Sequence, residues 1–478
     1  KISKETSIAQ GEWYNKKMKL IFYGGAQTVA GTNYLLESGG QKILIDCGLF
    51  QGSHYAERQN FEPFSYNPKD IEAVFITHSH LDHIGRLPKL WKDGFRGTIF
   101  STPPTKDFSE LLLLDSEHIL GKEAEREGKP PLYTVSDIQE VMRLWHKIEY
   151  HRPLHIGGMT IEFFDAGHIL GSAIIKIEVA AQEGESRLNN GLDGRTIVFS
   201  GDLGNYPAPI INKTETIKSA DYCVIESAYG DRVHGAAGES KGSLEDAIED
   251  IVRAGGVLLI PAFAMERTQD LLFHLNELVE KKRVPAVPIF IDSPLAIKLT
   301  SVYKKYENYF NKETYNLVRS GDDILNFPGL RLTLTTEQSK EINNVPPPKV
   351  IIAGSGMSHG GRILHHEIRY LPNPKSTILF VGYQARGSLG RQILDGAKKV
   401  NILGEEVEVR CKKKVISSYS AHADQPQLLA WLRPMRLTLK TIFVAQGEPE
   451  ASAALAQKIK DELAIEVVIP KPLDEFVL

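Results

Sequence analysis

Three histidines and one aspartate stand within seven residues of the chain, in the stretch THSHLDH at 77–83. The stretch follows the apolar run IEAVFI, which is typical of a β-strand. His78 and His80 project to the same side of extended backbone, and Asp82 and His83 follow as the chain turns. Imidazole nitrogens and carboxylate oxygens suit zinc, and their number exceeds what one catalytic zinc takes from a protein. The spacing therefore predicts two adjacent metal ions, whereas a merely solvated histidine-rich loop would have no reason to follow an apolar strand.

Further residues of the same chemical types follow apolar runs elsewhere. His168 stands in DAGHILGSA and Asp202 in FSGDLG, each beside glycines that let backbone approach closely. Taken singly, a loop histidine is usually structural and an aspartate after glycine is usually a turn former. Together with the first stretch, both are predicted metal ligands. Asp46, at the end of KILIDCG, is predicted to orient a histidine, with a turn aspartate as the alternative.

The order of these residues resembles the metallo-β-lactamase superfamily in its hydrolase form. It runs Asp46, His78-x-His80-x-Asp82-His83, His168, Asp202. The diiron redox branch of that superfamily carries glutamate where this chain has His80, so the resemblance implies hydrolysis rather than electron transfer. It also implies an α/β fold, the αββα sandwich of the superfamily.

The elements that would position these ligands change along the chain. Short strands dominate the first third, and Gly39-Gly40 is a hairpin signal. The segment 136–148, SDIQEVMRLWHKI, has apolar residues at helical spacing and a capping box from Ser136 to Gln139, which predicts a helix. The polar segment 182–194 is predicted to be a surface hairpin loop. From about residue 243, apolar strands alternate with amphipathic helices, which predicts a mainly parallel sheet flanked by helices.

Length and composition limit the class of protein. The chain has 478 residues, 42% of them hydrophobic and 24% charged, which is typical of a globular protein with two domains. No run of 18 apolar residues occurs, so no membrane span is predicted. Three widely separated cysteines indicate a reducing compartment, and we expect a cytoplasmic location. Because the net charge is −4, a nucleic-acid partner would have to be bound by local basic patches such as RCKKK at 410–414.

Landmarks further along the chain are similar to those of the β-CASP nucleases, a group that includes RNase J and the nuclease of mRNA 3′-end cleavage. They are VIESAYGD (224–231), IPAFAMERTQDLL (260–272), IDSPLA (291–296), GSGMSHGGRILHH (354–366), FVGYQARGSLGRQI (380–393) and SSYSAHAD (417–424). With the first set of motifs, the resemblance covers nearly the whole chain. It implies a metallo-β-lactamase domain in two parts, 1–230 and 412–478, interrupted by a β-CASP domain at 231–411.

The resemblance also assigns residues near the ligands. Glu226 takes the first acidic position of the β-CASP group and His422 the histidine position of the SAH motif. A carboxylate that accepts a hydrogen bond from an imidazole raises its basicity, so His422 is suited to protonate a leaving oxygen. A strand-end salt bridge for Glu226 and a helix-start position for His422 are the structural alternatives. The group's histidine ligand of the second metal is replaced here by Gln446, in VAQGE. Because an amide oxygen is a weak ligand, the second metal is expected to bind less tightly, only with substrate, or not at all.

The function predicted first is a zinc-dependent ribonuclease, with two Zn²⁺ and single-stranded RNA as substrate. A metal-activated hydroxide would attack phosphorus in line while His422 protonates the departing 3′ oxygen, and Asp82, Glu226 and His422 are the predicted catalytic residues. The turn GSGMSHGGR, between a strand and a helix, suits a phosphate. Predicted phosphate contacts are Ser355, Arg362, Arg386, Arg391 and Arg267. For a single arginine, a solvated surface position is the commoner role.

Other functions remain open from the sequence. One is a catalytically weakened RNA-binding or scaffold homologue, which the replacement at Gln446 supports. Another is a nuclease of single-stranded DNA, because the DNA-directed branch of the group also lacks that histidine. A small-molecule hydrolase would not need an insertion of this length. Endonucleolytic or exonucleolytic action and a homodimer are likewise left open.

Overall fold

The computed structural model describes residues 18–52, 54–180, 194–235, 239–385, 387–416 and 419–478. The described chain forms two compact units. The first takes the chain up to Tyr206, together with Lys213–Val233 and His422–Leu478. The second takes Pro207–Asn212 and His234–Ala421. The domain limits that the sequence predicts, at 231 and 411, stay a prediction.

The first unit contains fourteen of the described strands and seven of the described α-helices. The strands are β1 (Lys19–Gly24), β2 (Asn33–Ser38), β3 (Gln41–Ile45), β4 (Ala73–Phe75), β5 (Thr98–Ser101), β6 (Trp145–Lys147), β7 (Leu154–Ile156), β8 (Met159–Asp165), β9 (Ala173–Val179), β10 (Arg195–Phe199), β11 (Tyr222–Ile225), β20 (Thr441–Val444), β21 (Glu466–Val468) and β22 (Glu475–Val477). They make two seven-stranded sheets, in the orders β22-β1-β2-β3-β4-β5-β6 and β21-β20-β11-β10-β9-β8-β7.

The two sheets of the first unit pack face to face on one apolar core. Phe22 and Phe75 from one sheet meet Phe163, Phe199 and Phe443 from the other in this core. The helices of the first unit are α1 (His54–Gln59), α2 (Leu81–Ile84), α3 (Leu87–Lys92), α4 (Pro103–Glu127), α5 (Val135–Leu144), α13 (Gln425–Leu432) and α14 (Pro449–Leu463). The apolar faces of α13 and α14 pack on the outer face of the second sheet. The αββα sandwich is therefore confirmed.

Parallel pairing brings several strand ends of the first unit to a common edge. In one sheet β3 runs parallel to β4, and in the other β10, β11 and β20 run parallel to one another. The residues that follow these strands include five polar residues that the sequence analysis singled out. They are Asp46 after β3, His78 after β4, Asp202 after β10, Glu226 after β11 and Gln446 after β20. Because parallel strands end on the same side, these side chains lie near one another.

The second unit is built around a six-stranded sheet. Its strands are β12 (Val257–Pro261), β13 (Ile289–Ile291), β14 (Leu330–Leu332), β15 (Lys349–Ala353), β16 (Thr377–Phe380) and β19 (Lys412–Val415), in the order β14-β13-β15-β12-β16-β19, and β17 (Lys399–Ile402) pairs with β18 (Glu405–Glu408). All neighbours in the six-stranded sheet are parallel, as predicted. Its helices are α6 (Glu239–Ala254), α7 (Arg267–Glu280), α8 (Pro294–Lys305), α9 (Lys312–Arg319), α10 (Thr336–Glu341), α11 (Ile363–Tyr370) and α12 (Leu389–Leu394).

The helix predicted over 136–148 is shorter than expected and has a different cap. Helix α5 begins at Val135, and its capping box joins Thr134 to Asp137 rather than Ser136 to Gln139. The chain leaves the helix at Trp145, whose indole nitrogen donates to Ser101 Oγ at 2.9 Å. Residues 145–147 then pair in parallel with β5 as an edge strand, because this pairing buries the tryptophan.

Two other predictions from the sequence concern a turn and a loop between strands. The Gly39-Gly40 turn is confirmed, since it joins the antiparallel strands β2 and β3. The hairpin loop predicted at 182–194 lies outside the described residues except for its last position. Among the helices in the described ranges, none is both long and apolar enough to cross a membrane.

Candidate metal centre

Four predicted ligands of the first unit converge on one point. They are His78, His80, His168 and Asp202, and one ligand atom from each lies within 4.8 Å of all the others. Nδ1 of His80 lies 3.0 Å from Nε2 of His78 and 3.3 Å from Nε2 of His168. Oδ2 of Asp202 lies 3.5 Å and 3.6 Å from the same two Nε2 atoms. A tetrahedron around zinc, with bonds of about 2.0–2.1 Å, has edges of about 3.4 Å. The four side chains therefore fit one tetrahedral metal ion.

Burial keeps one of these ligands, His78, in the form that binds metal. His78 and His168 are fully buried, and Asp202 is nearly so. Burial lowers the pKa of His78 well below its ordinary value, and the neighbouring imidazole of His83 lowers it further. A neutral imidazole has a free nitrogen lone pair, which is what a metal ion needs. The His78 ring is thus suited to bind a cation rather than a proton.

Asp46 lies behind the ligand group and contacts Thr77 and His83, and its predicted role of orienting a histidine stays a prediction. Its backbone has φ +61°, and its carboxylate accepts hydrogen bonds from the amide and the hydroxyl of Thr77, at 2.8 and 2.7 Å. Nδ1 of His83 lies 2.7 Å from Asp46 Oδ2. Because a carboxylate only accepts, Nδ1 of His83 carries a proton, and Nε2 is the ring atom that faces the site. Burial lowers the pKa of His83, but the carboxylates of Asp202, Asp46 and Asp82 outweigh it and raise that pKa well above its ordinary value. Thr77 is the residue that the sequence analysis missed here, although it is the first letter of THSHLDH.

The ligands predicted for a second metal ion lie beside the first group. Nε2 of His83 is 3.4 Å from Asp202 Oδ1 and 3.7 Å from Asp82 Oδ2. The Gln446 amide nitrogen lies against the same atoms, 3.0 Å from His83 Nε2 and 2.8 Å from Asp202 Oδ1. All four side chains are therefore brought together. The amide nitrogen, however, is a hydrogen-bond donor placed against the ligand atoms of two residues, so this group fits a second ion poorly.

Glu226 and His422 form a hydrogen-bonded pair next to the metal ligands. Nδ1 of His422 lies 3.1 Å from Glu226 Oε2 and 3.7 Å from Asp202 Oδ2. Glu226 is fully buried and its other oxygen accepts from the Leu203 amide, whereas the His422 side chain keeps 28% of its surface exposed. Burial lowers the pKa of His422, but the Glu226 and Asp202 carboxylates outweigh it and raise the pKa to about 9. The ring is thus both protonated at neutral pH and open to a ligand.

Three of the four arginines predicted to contact phosphate are engaged within the second unit. Arg267 is buried and donates to the carbonyl of Val381. Arg362 donates to Asp292 Oδ1 at 2.7 Å and to the carbonyl oxygens of residues 333 and 334. Arg391 pairs with Asp395 at 2.9 Å on the surface. Arg386 lies outside the described residues. Their predicted contacts with phosphate stay a prediction.

Ser355 is the second residue of the glycine-rich turn that the sequence analysis singled out. Its hydroxyl accepts hydrogen bonds from the amides of His359 and Gly360, at 2.9 and 3.3 Å. These two backbone amides of the turn therefore donate to Ser355 of the same turn. A contact between Ser355 and a phosphate likewise stays a prediction.

A buried polar network in the second unit was missed from the sequence. Asp292 accepts from Arg362, from Ser339 Oγ at 2.6 Å and from Thr333 Oγ1 at 2.7 Å, and His366 Nε2 lies 2.7 Å from it. Burial raises the pKa of Asp292, but these hydrogen bonds hold it well below its usual range. The residues come from four separate elements, so no local sequence pattern predicts this network.

Three family models match separate parts of the chain. The model described as "Metallo-beta-lactamase superfamily" matches residues 27–95, and the one described as "Beta-Casp domain" matches 268–393. A third, described as "Zn-dependent metallo-hydrolase RNA specificity domain", matches 406–470.

Comparison with curated proteins extends the likeness to nearly the whole chain. A ribonuclease of Thermus thermophilus is 36% identical over 440 residues, which cover 92% of this chain and 95% of that protein. The chain belongs to the β-CASP nuclease family of the metallo-β-lactamase superfamily. An RNase J-like protein of Methanocaldococcus jannaschii is 29% identical, covering 94% of this chain and 97% of the relative. The transcription termination factor FttA of Methanosarcina mazei is also 29% identical, covering 94% and 70%.

Among solved structures, a protein of unknown function from Enterococcus faecalis V583 covers 97% of this β-CASP chain and 100% of its own, with a TM-score of 0.53. At 13% sequence identity, this likeness concerns the fold alone. The family predicted from the motifs is thus confirmed by sequence relatives, and the fold by the structure.

Proposed function

We propose that this β-CASP protein is a zinc-dependent ribonuclease that hydrolyses phosphodiester bonds of single-stranded RNA. One observation carries the proposal: the ligand group His78, His80, His168 and Asp202 shares Asp202 with the Glu226–His422 pair. A metal ion and a proton donor thereby face the same small region, which is what hydrolysis of a phosphodiester requires. The named function of the Thermus thermophilus relative and the description of the matched RNA specificity domain support RNA as the substrate class.

In this proposal the buried ligands hold the ion, and the rest of the chain handles the proton. A zinc ion bound at the site would lower the pKa of a water molecule and offset the charge of the phosphate. His422 carries a proton at neutral pH because its pKa is raised to about 9. Its exposed edge would donate that proton to the departing 3′ oxygen, so the products would end in 5′-phosphate and 3′-hydroxyl groups. Glu226 would fix the orientation of the imidazole, and Asp82, half-buried at the site, would line the water's approach.

The test offers end-labelled RNA and a single-stranded DNA of matched sequence to the protein, with added zinc or manganese. We expect RNA to be cut and His422→Ala to be about 100-fold slower or worse, because general acid catalysis contributes about 10²–10⁴-fold. His118→Ala, on the exposed side of α4, is the matched control and should cut like the unchanged protein. Cleavage of neither polymer would contradict the proposal, and preferential cutting of DNA would assign the site to the DNA-directed alternative.

The RNA-binding or scaffold alternative is favoured by one observation, the hydrogen bonds of Gln446 to two predicted ligands. It predicts RNA binding without turnover in the same assay. Metal-dependent cleavage that His422→Ala abolishes would reject it.

A further inference from the structure

We propose that the carboxamide of Gln446 takes the place of the second metal ion, so that this chain holds one resident ion. That ion would lie among His78, His80, His168 and Asp202. The inference rests on the proposed function only for the metal-binding role of these four residues. It goes beyond the proposed function because it concerns the number of ions rather than the reaction.

The contacts of the Gln446 side chain lead to this assignment. Nδ1 of His83 lies 2.7 Å from Asp46 Oδ2, so Nε2 is the ring atom that faces the predicted position of the second ion. Asp202 Oδ1 is a carboxylate oxygen and accepts a hydrogen bond from the side-chain amide nitrogen of Gln446 at 2.8 Å. The same nitrogen lies 3.0 Å from His83 Nε2. The carboxamide nitrogen thus occupies the position between two ligand atoms that a cation would otherwise occupy.

The backbone around Gln446 holds the side chain in this position. The backbone N–H of Gln446 donates to the backbone carbonyl of Gly25 at 2.7 Å. The backbone carbonyl of Gln446 accepts from the backbone N–H of Ser227 at 3.3 Å. Its φ is +46°, and only 4% of the residue is exposed. The next residue, Gly447, is packed so tightly that an added Cβ would lie 2.2 Å from Ser227 Oγ. The backbone at Gln446 is therefore held in place, and its side chain is enclosed beside the ligands.

An ion entering this position would have to displace the Gln446 amide nitrogen from both His83 and Asp202. Besides those two residues, the group would offer the ion the carboxylate of Asp82. A rotated Gln446 carboxamide would add only a neutral oxygen, which is a weak ligand. A histidine in place of Gln446 would instead present a nitrogen lone pair to the ion. We therefore expect the second zinc ion to bind the unchanged chain at least about 100-fold more weakly than it binds Gln446→His.

The experiment measures zinc binding to the metal-stripped full chain by titration calorimetry, with metal content of the dialysed protein as a second readout. The unchanged chain should bind one zinc per chain tightly, and Gln446→His should bind two. Gln457→His adds a histidine on the exposed face of α14 and should stay at one. X-ray absorption spectra of the zinc-loaded unchanged chain and of zinc-loaded Gln446→His should show a second zinc ion near the first only in Gln446→His.

Two tight zinc ions in the unchanged chain, or a single one in Gln446→His, would overturn the inference. Binding of no zinc by any variant would overturn it together with the metal requirement of the proposed function. One tight zinc without cleavage of RNA would leave the inference standing and reject the proposed function. The two failures are therefore distinguishable.

Discussion

Nδ1 of His422 lies 3.1 Å from Oε2 of Glu226, although the two residues are 196 positions apart in the chain. Glu226 directly follows strand β11, and His422 forms an isolated backbone bridge with Gly204. The carboxylate is fully buried and the imidazole is half-buried. This pair links the metal ligands to a group that can release a proton.

Glu226→Gln tests the link through the pH dependence of RNA cleavage. Since His422 must be protonated to act as an acid, activity is lost as the pH rises through its pKa. In the unchanged protein that loss should come near pH 9, because the Glu226 carboxylate raises the pKa. In Glu226→Gln it should come at lower pH, toward the ordinary histidine value of about 6.5. The measurement is kcat/KM against pH, and an unmoved alkaline limb would show that Glu226 does not act on His422.

Asp46→Asn tests the support behind the metal centre. The substitution replaces one acceptor oxygen by a donor, which cannot bond to the Thr77 amide or to Nδ1–H of His83 as the carboxylate does. We expect the free energy of unfolding of the first unit to fall by about 1–3 kcal/mol and zinc affinity to fall about 10–100-fold. Urea unfolding and zinc titration measure the two effects. The surface change Asp461→Asn is the control, and equal effects from both would reject the supporting role of Asp46.

Glu367→Gln tests a buried carboxyl group of the second unit that takes no part in the proposed reaction. Burial raises the pKa of Glu367 to about 8, and Ser358 Oγ lies 2.5 Å from its carboxyl. Because the folded pKa exceeds the ordinary value of about 4.5, this group's stabilising contribution is full below pH 4.5 and is lost as the pH rises through about 8. Glu367→Gln removes that loss, so its melting temperature should exceed that of the unchanged protein at pH 9 and match it near pH 4. The exposed Glu313→Gln should show no such crossover, and parallel pH profiles for the Glu367 variant and the unchanged protein would contradict this.

The site was predictable from the sequence where its chemistry is local. THSHLDH presents four candidate ligands in seven residues, and His168 and Asp202 each follow an apolar strand, so strand ends alone bring them together. Glu226 and His422 came from the family resemblance, since nothing local to either residue points to the other. The replacement of the group's histidine by Gln446 could also be seen in the sequence. The contact of Gln446 with His83 and Asp202 could not, because a sequence states a residue type and not the direction of its amide.

Other parts of the fold depend on contacts that no local pattern contains. The Asp292 network joins Arg362 and His366, 70 and 74 positions away, through a carboxylate that reads as an ordinary turn residue in IDSPLA. Trp145 continues the helical spacing of 136–148, yet tertiary pairing with β5 wins because it buries the indole ring. In both places packing between distant elements decides the structure, and local propensity does not.

The central claim is that His78, His80, His168 and Asp202 together bind a metal ion. Anomalous diffraction at the zinc absorption edge, from crystals of the zinc-loaded protein, tests it most directly. The account predicts one strong peak about 2.0–2.2 Å from the ligand atoms of these four side chains. A map without a peak at that position, in protein whose four side chains are ordered, would contradict it.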